Sequence, residues 1–176
     1  MQLVPAFVLK NYIPEKHKVV ILHKHLGKIS CIYTKKDAAI RLCTGSLFFC
    51  AVEKKKSWYE IVQLDLIMVP ANCSSDDIIF LHEIVLLCLK VVPSEVMVAE
   101  LFDFLWYVFS KFDQLTDAGR QVVLLRLFLL FDLMPEDKMG YRRALQDPYG
   151  NIEYDYQQLV PLVAICWKRF YQEIRR

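Results

Sequence analysis

The feature that most constrains this chain is a change of hydrophobic period near residue 70. Before it, short runs of β-branched and aromatic residues alternate with turn signals, the pattern of strands. After it, apolar residues recur at helical spacing between capping residues. The first pattern predicts five strands, at 6–13, 18–26, 28–34, 46–53 and 58–68. His25-Leu26-Gly27-Lys28 makes a tight hairpin in which Gly27 supplies the left-handed backbone angle, and Lys54-Lys55-Lys56-Ser57 makes a second. Five strands in about seventy residues are too few for a sandwich and suit a small closed barrel of OB type. The stretch 35–44 falls where such a barrel connects its third and fourth strands, and 37–42 can form a short helix there.

Ser74-Ser75-Asp76-Asp77 reads as an N-cap followed by acids in the first turn, opening a helix over 76–92. Pro93 ends it, and Ser94 is placed to cap a second helix over 95–112. Thr116 or Asp117 opens a third that closes at Met134-Pro135. The stretch 138–151 reads as a connection, and 154–175 as a final helix, kinked or begun late at Pro161. The expected fold is therefore α+β and multidomain: an N-terminal five-stranded OB-type β-barrel over 1–70, then an all-α helical domain over 71–176.

Composition excludes several classes of protein. At 55% hydrophobic and 24% charged, the chain is globular rather than disordered. The apolar runs at 84–92, 96–109 and 122–134 fall short of the roughly 20 residues a membrane span needs, or are broken by Lys90, Glu100, Asp103 or Arg126. No membrane partner is expected. No basic segment precedes an apolar block at the start, so no signal peptide is expected either. Cys31, Cys43, Cys50, Cys73, Cys88 and Cys166 form no C-x-x-C pair and sit mostly in apolar runs. Reduced thiols in a cytoplasmic protein are the expectation.

Signs of an enzyme are scarce. The five glycines make neither a G-x-G-x-x-G nor a P-loop, and no local signature joins a nucleophile to a base and an acid. His23 and His25 share a strand face and can in principle meet Cys31 or His17 at a metal. A metal needs three or four convergent ligands, and no second cluster appears. A non-enzymatic protein without metal or cofactor is expected. Glu100, Asp103, Asp132 and Arg126 lie within apolar helices and predict an ion pair from Arg126 to one of the acids. Between 121 and 134 only Gln121, Arg126 and Asp132 are polar, so this helix is buried or meets a partner.

Charge separates the two parts. Residues 1–70 hold eleven Lys and Arg against five Asp and Glu, a net +6, and the remainder carries −4. Such asymmetry predicts a polyanionic partner for the barrel. OB-folds bind oligonucleotides across strands two and three, framed by the loops joining strands one to two and four to five. Those loops are here Pro14-Glu15-Lys16-His17-Lys18 and Lys54-Lys55-Lys56, both basic. The candidate phosphate contacts are Lys16, Lys18, Lys24, Lys35, Lys36, Lys54, Lys55 and Lys56. Tyr33 and Trp58 are the candidate rings for stacking on bases. Trp58 and Tyr59 must point to opposite faces, so one of them belongs to the core.

Over residues 6–137 this order of features resembles the bacterial DNA repair protein RecO family. The resemblance is carried by Phe7-Val8-Leu9, Glu15, Val19-Val20-Ile21-Leu22, Gly27-Lys28 and Lys35-Lys36 in the barrel. In the helices it is carried by Glu83, by Leu101-Phe102-Asp103-Phe104-Leu105, and by the leucine-rich run from Leu127 to Pro135. Met134 stands where the family usually ends that helix with glycine, and 138–151 has no four-cysteine zinc module, as in a shortened member. The resemblance implies a recombination mediator that binds single- and double-stranded DNA and anneals complementary strands. It further implies docking to the C-terminal tail of single-stranded-DNA-binding protein, and action with RecR to load RecA. The acidic tail would need a base beside an apolar pocket, for which Lys90, Lys111, Arg120 and Arg126 are candidates. The alternative is a protein-interaction adaptor whose barrel no longer binds DNA.

Overall fold

A computed structural model describes residues 2–12, 17–33, 42–70, 73–134 and 156–175. Five strands, β1 (Val4–Asn11), β2 (Lys18–His23), β3 (Gly27–Tyr33), β4 (Leu47–Lys54) and β5 (Tyr59–Met68), close a barrel in the order β1-β2-β3-β5-β4. Every pairing is antiparallel except β3 with β5, which run parallel from Cys31↔Tyr59 to Tyr33↔Ile61. This is the OB-type arrangement that the strand pattern predicts.

The barrel interior is filled by alternate residues, among them Ala6, Val8, Val19, Ile21, Ile29, Cys31, Phe48, Cys50, Tyr59 and Ile61. β1 is buried on its outer face as well: Phe7 is 1% exposed, and its ring lies 4.4 Å from that of Phe109. The unbroken apolar run Phe7-Val8-Leu9 thus reports burial on both sides. The interior thiols are pushed up by burial, Cys50 to about 12 and Cys31 further.

The chain forms two compact units, Met1–Phe109 and Ser110–Arg176. Strands give way to helices near residue 70, whereas the compact units divide later. The first unit adds to the barrel helix α1 (Ser75–Val91) and nearly all of α2 (Ala99–Ser110). Ser74 caps α1 through a reciprocal box with Asp77, as the sequence predicts. At the other end of α1, the Lys28 ammonium donates to the Leu89 carbonyl at 2.7 Å.

The expectation for α2 is corrected: it begins at Ala99, and Ser94 does not cap it. Ser94 instead pairs in parallel with Lys28, and the Glu95 N–H donates to the Lys28 carbonyl at 3.0 Å. β3 meets β5 only from Cys31 onward, so the earlier part of that edge has backbone groups to satisfy, and the 93–98 segment takes one of them. Glu95 adopts a left-handed φ of 58° there, which is incompatible with a helix start.

In the second unit, Thr116 caps α3 (Asp117–Leu130) by accepting from the Gly119 N–H at 3.1 Å. The helix stops four residues before the expected Met134. The Asp132 N–H donates to the Leu129 carbonyl and the Leu133 N–H to the Phe128 carbonyl, a Schellman turn with Asp132 in the left-handed position at φ 54°. Helix α4 (Tyr156–Glu173) runs on through Pro161, its sixth residue. Its buried face, Leu159, Val163, Cys166 and Phe170, recurs at helical spacing, and Trp167 meets Phe128 edge-on at 5.1 Å. The Arg169 guanidinium donates to the Met134 carbonyl. Asp103, one acid expected to face Arg126, pairs with Lys24 instead. The expected helix over 37–42 and connection over 138–151 fall almost wholly outside the described residues. Among the described residues, no helix is long and apolar enough to cross a membrane.

Candidate nucleic-acid interface

The β2–β3 hairpin sets the site. Pairs Lys18↔Ile32 and Val20↔Ser30 alternate with Val19↔Cys31, whose side chains fill the barrel, so Lys18, Ile32 and Ser30 stand on the outer wall. The parallel junction Cys31↔Tyr59 brings the start of β5 beside this wall. The loop before it is closed by the Lys55 N–H donating to the Trp58 carbonyl at 2.8 Å. The result is a cleft of 610 Å³ lined by His17, Lys18, Ser30, Cys31, Ile32, Ser57 and Trp58. Tyr59 points inward and is 6% exposed, while Trp58 is half-buried at the cleft. The strand alternation predicts one ring in and one out, as found. A flat indole, an apolar Ile32, two hydroxyls and an ammonium can together hold a planar ring and an attached anion.

The surrounding lysines are less free than their number suggests. Lys54 lies 2.8 Å from Glu95 and its ammonium sits 5.4 Å over the Tyr59 ring. The Glu95 hydrogen bond raises Lys54 above the ordinary lysine range, and the same bond lowers Glu95 below the ordinary carboxylate range. Lys55 lies 3.0 Å from Glu53 and 3.1 Å from Glu60, which raise it likewise, Glu53 foremost. Lys24 pairs with Asp103 at 2.8 Å. Lys18 lies 5.0 Å over the Tyr12 ring. Lys56 is exposed and has no ion pair among the described residues. The first compact unit holds twelve Lys and Arg against eleven Asp and Glu, a net +1. Acids beyond residue 70, Glu95 and Asp103 among them, therefore balance the excess of 1–70.

Lys18 and Trp58 line the cleft, and Lys54, Lys55 and Lys56 form its neighbouring loop. Lys24 stands at the opposite end of the hairpin. Tyr33 packs against the barrel interior, with the His17 ring edge-on at 5.5 Å, and does not line the cleft. Lys16, Lys35 and Lys36 lie outside the described residues. The sequence reading does not single out Ser30, Ile32 or Ser57; their strand parity with Lys18 carries the signal for the first two.

His23 is 4% exposed, and its Nδ1 accepts from the His25 and Leu26 N–H groups, both at 3.2 Å. Burial, and then the charge of His25, lowers its pKa to about 4, so its ring serves the turn as a neutral acceptor. Among the described residues, no three His, Cys, Asp or Glu side chains converge to hold a metal. Of the partner candidates, Lys90 is exposed in the first unit, in the last turn of α1. In the second unit Lys111 is exposed, Arg120 lies 3.8 Å from Asp117, and Arg126 is half-buried. Leu129, Val160, Ile165, Tyr171 and Ile174 are exposed apolar side chains of that unit. No protein-family model matches the sequence and no curated protein matches it, so what bears on function is the barrel and its cleft.

Proposed function

We propose that this is a non-catalytic DNA-binding protein whose barrel holds single-stranded DNA, acting as a recombination mediator in repair of the kind its sequence resembles. In this reading it anneals strands, contacts double-stranded DNA, and docks single-stranded-DNA-binding protein and RecR through its helices. The observation that carries the reading is the cleft on the outer wall of β2–β3, which joins Lys18 to Trp58 on the face where OB-folds take oligonucleotides. A base stacks on the Trp58 indole and lies against Ile32, while Lys18 and Lys56 follow the backbone. Fluorescence anisotropy with labelled single-stranded DNA across several salt concentrations tests it. Wild type is expected to bind at low salt and to lose affinity steeply as salt rises. Trp58→Ala is expected to weaken binding roughly five- to hundredfold, the equivalent of one lost stacking contact. Replacing Lys54, Lys55 and Lys56 together with alanine is expected to flatten the salt dependence. Absence of wild-type binding at low salt sinks the reading.

One observation favours a second reading, a protein-interaction adaptor: Lys24, Lys54 and Lys55 already have acids as partners. Failure to bind DNA at low salt would put the adaptor first.

A further inference from the structure

The 93–98 segment places a carboxylate on Lys54, at the start of the loop that frames the cleft, at some cost to its backbone. Glu95 is a non-glycine residue at φ 58°, a conformation that L side chains adopt under strain and that glycine or asparagine would take more readily. Its backbone is fixed independently of its side chain, by its own N–H to the Lys28 carbonyl and by Ser94 pairing with Lys28. The chain then closes over Gly27 so tightly that a Cβ there would overlap the Val96 carbonyl. From this anchored base the carboxylate reaches Lys54, the last residue of β4, at 2.8 Å, where both side chains are half exposed. Three residues on from Lys54 come Ser57 and then Trp58, both lining the cleft.

We propose that Glu95 occupies the place of a phosphate on Lys54, making the 93–98 segment an internal competitor for the polyanion and an anion-releasable tether on the Lys54 ammonium. This rests on the nucleic-acid reading of the cleft and adds its regulation. A carboxylate presents one negative charge to the ammonium, as a phosphodiester does. An exposed pair of this kind is weak, so a polyanion held nearby by Lys18 and Trp58 displaces it. The backbone anchor at Lys28 stays in place when the carboxylate lets go. The Lys54 ammonium is thereby freed while the segment remains docked on β3 and the loop stays closed by its own backbone bond.

The test is anisotropy with labelled single-stranded DNA on the full chain, comparing wild type with Glu95→Gln, Lys54→Gln and the double variant. Glu95→Gln is expected to bind two- to fivefold tighter at low salt, with a plot of log K against log salt steeper by about 0.7, one added phosphate contact. The gain is expected to vanish when Lys54→Gln is already present. Glu95→Asn, which suits the left-handed backbone, is expected to give the same gain with an unchanged or higher urea midpoint, separating charge from folding. If wild type binds with steep salt dependence and Glu95→Gln binds no tighter, the tether is wrong and the nucleic-acid reading stands. A gain that persists in the Lys54→Gln background marks a general charge effect and also overturns the tether. If neither wild type nor Glu95→Gln binds at low salt, the nucleic-acid reading and the tether fall together.

Discussion

The two ends of the β2–β3 hairpin are built from similar residues and put them to opposite use. At the turn, every polar group named is committed to the fold. His23 accepts two backbone N–H groups, Lys24 holds Asp103 of α2, Lys28 holds the end of α1, and Gly27 lies under Val96. At the other end, Lys18, Ser30 and Ile32 face an open cleft beside Trp58. A lysine on this hairpin is thus a clamp at the turn and, in the proposed reading, a contact at the open end. The helices of the first unit decide which, because they supply the acid and the carbonyl that the turn-end lysines meet.

The largest expected effect breaks the turn end. Gly27→Val combines a disfavoured φ of 69° with overlap on the Val96 carbonyl, and should cost about 3 kcal/mol or more by urea unfolding. Ile32→Ala at the open end should cost under about 1 kcal/mol. Equal costs would show that the two ends do not differ as described.

His23 gives a pH test of the same end. Its folded pKa of about 4 lies below the ordinary 6.5, so between those values the unfolded chain binds the proton more readily. The stabilisation is complete above about pH 6.5 and is lost as pH falls towards 4, an effect of about 2–3 kcal/mol. His23→Gln should flatten that part of the stability–pH curve, and an unaltered curve would show that His23 does not titrate as its burial requires.

A smaller effect sharpens the contrast. Lys28→Met keeps the aliphatic stem but leaves the Leu89 carbonyl without its ammonium, and should cost about 1–2 kcal/mol with DNA affinity unchanged. A variant of normal stability but weakened DNA binding would move Lys28 to the contact end.

The barrel was legible because its signals are local. Runs of β-branched and aromatic residues mark the five strands, Gly27 marks the turn, and Ser74 with Asp77 marks a helix start. What escaped was the part set by tertiary neighbours. Pro93-Ser94-Glu95 has the form of a helix start, but the open β3 edge captures it first. Tyr33 has the composition of a stacking ring, yet its position in β3 turns it towards the core. The charge balance depends on tertiary neighbours for the same reason. Counted to residue 70 the barrel carries +6, and counted to Phe109, where the compact unit ends, +1. The acids that balance its lysines lie too far along the chain for periodicity to associate them.

The sulfur chemistry of the first unit gives it an internal clock. Cys31 and Cys50 are sealed inside the barrel and Cys88 inside α1, each held protonated by burial, whereas Cys43 is exposed. Alkylation needs a thiolate that the reagent can reach. Cys43 therefore reacts at the pace of the reagent, and the three sealed thiols react at the pace at which the surrounding structure opens. These four of the first unit's five cysteines thus record, in one labelling time course, how often the barrel wall and the helix beside it come apart.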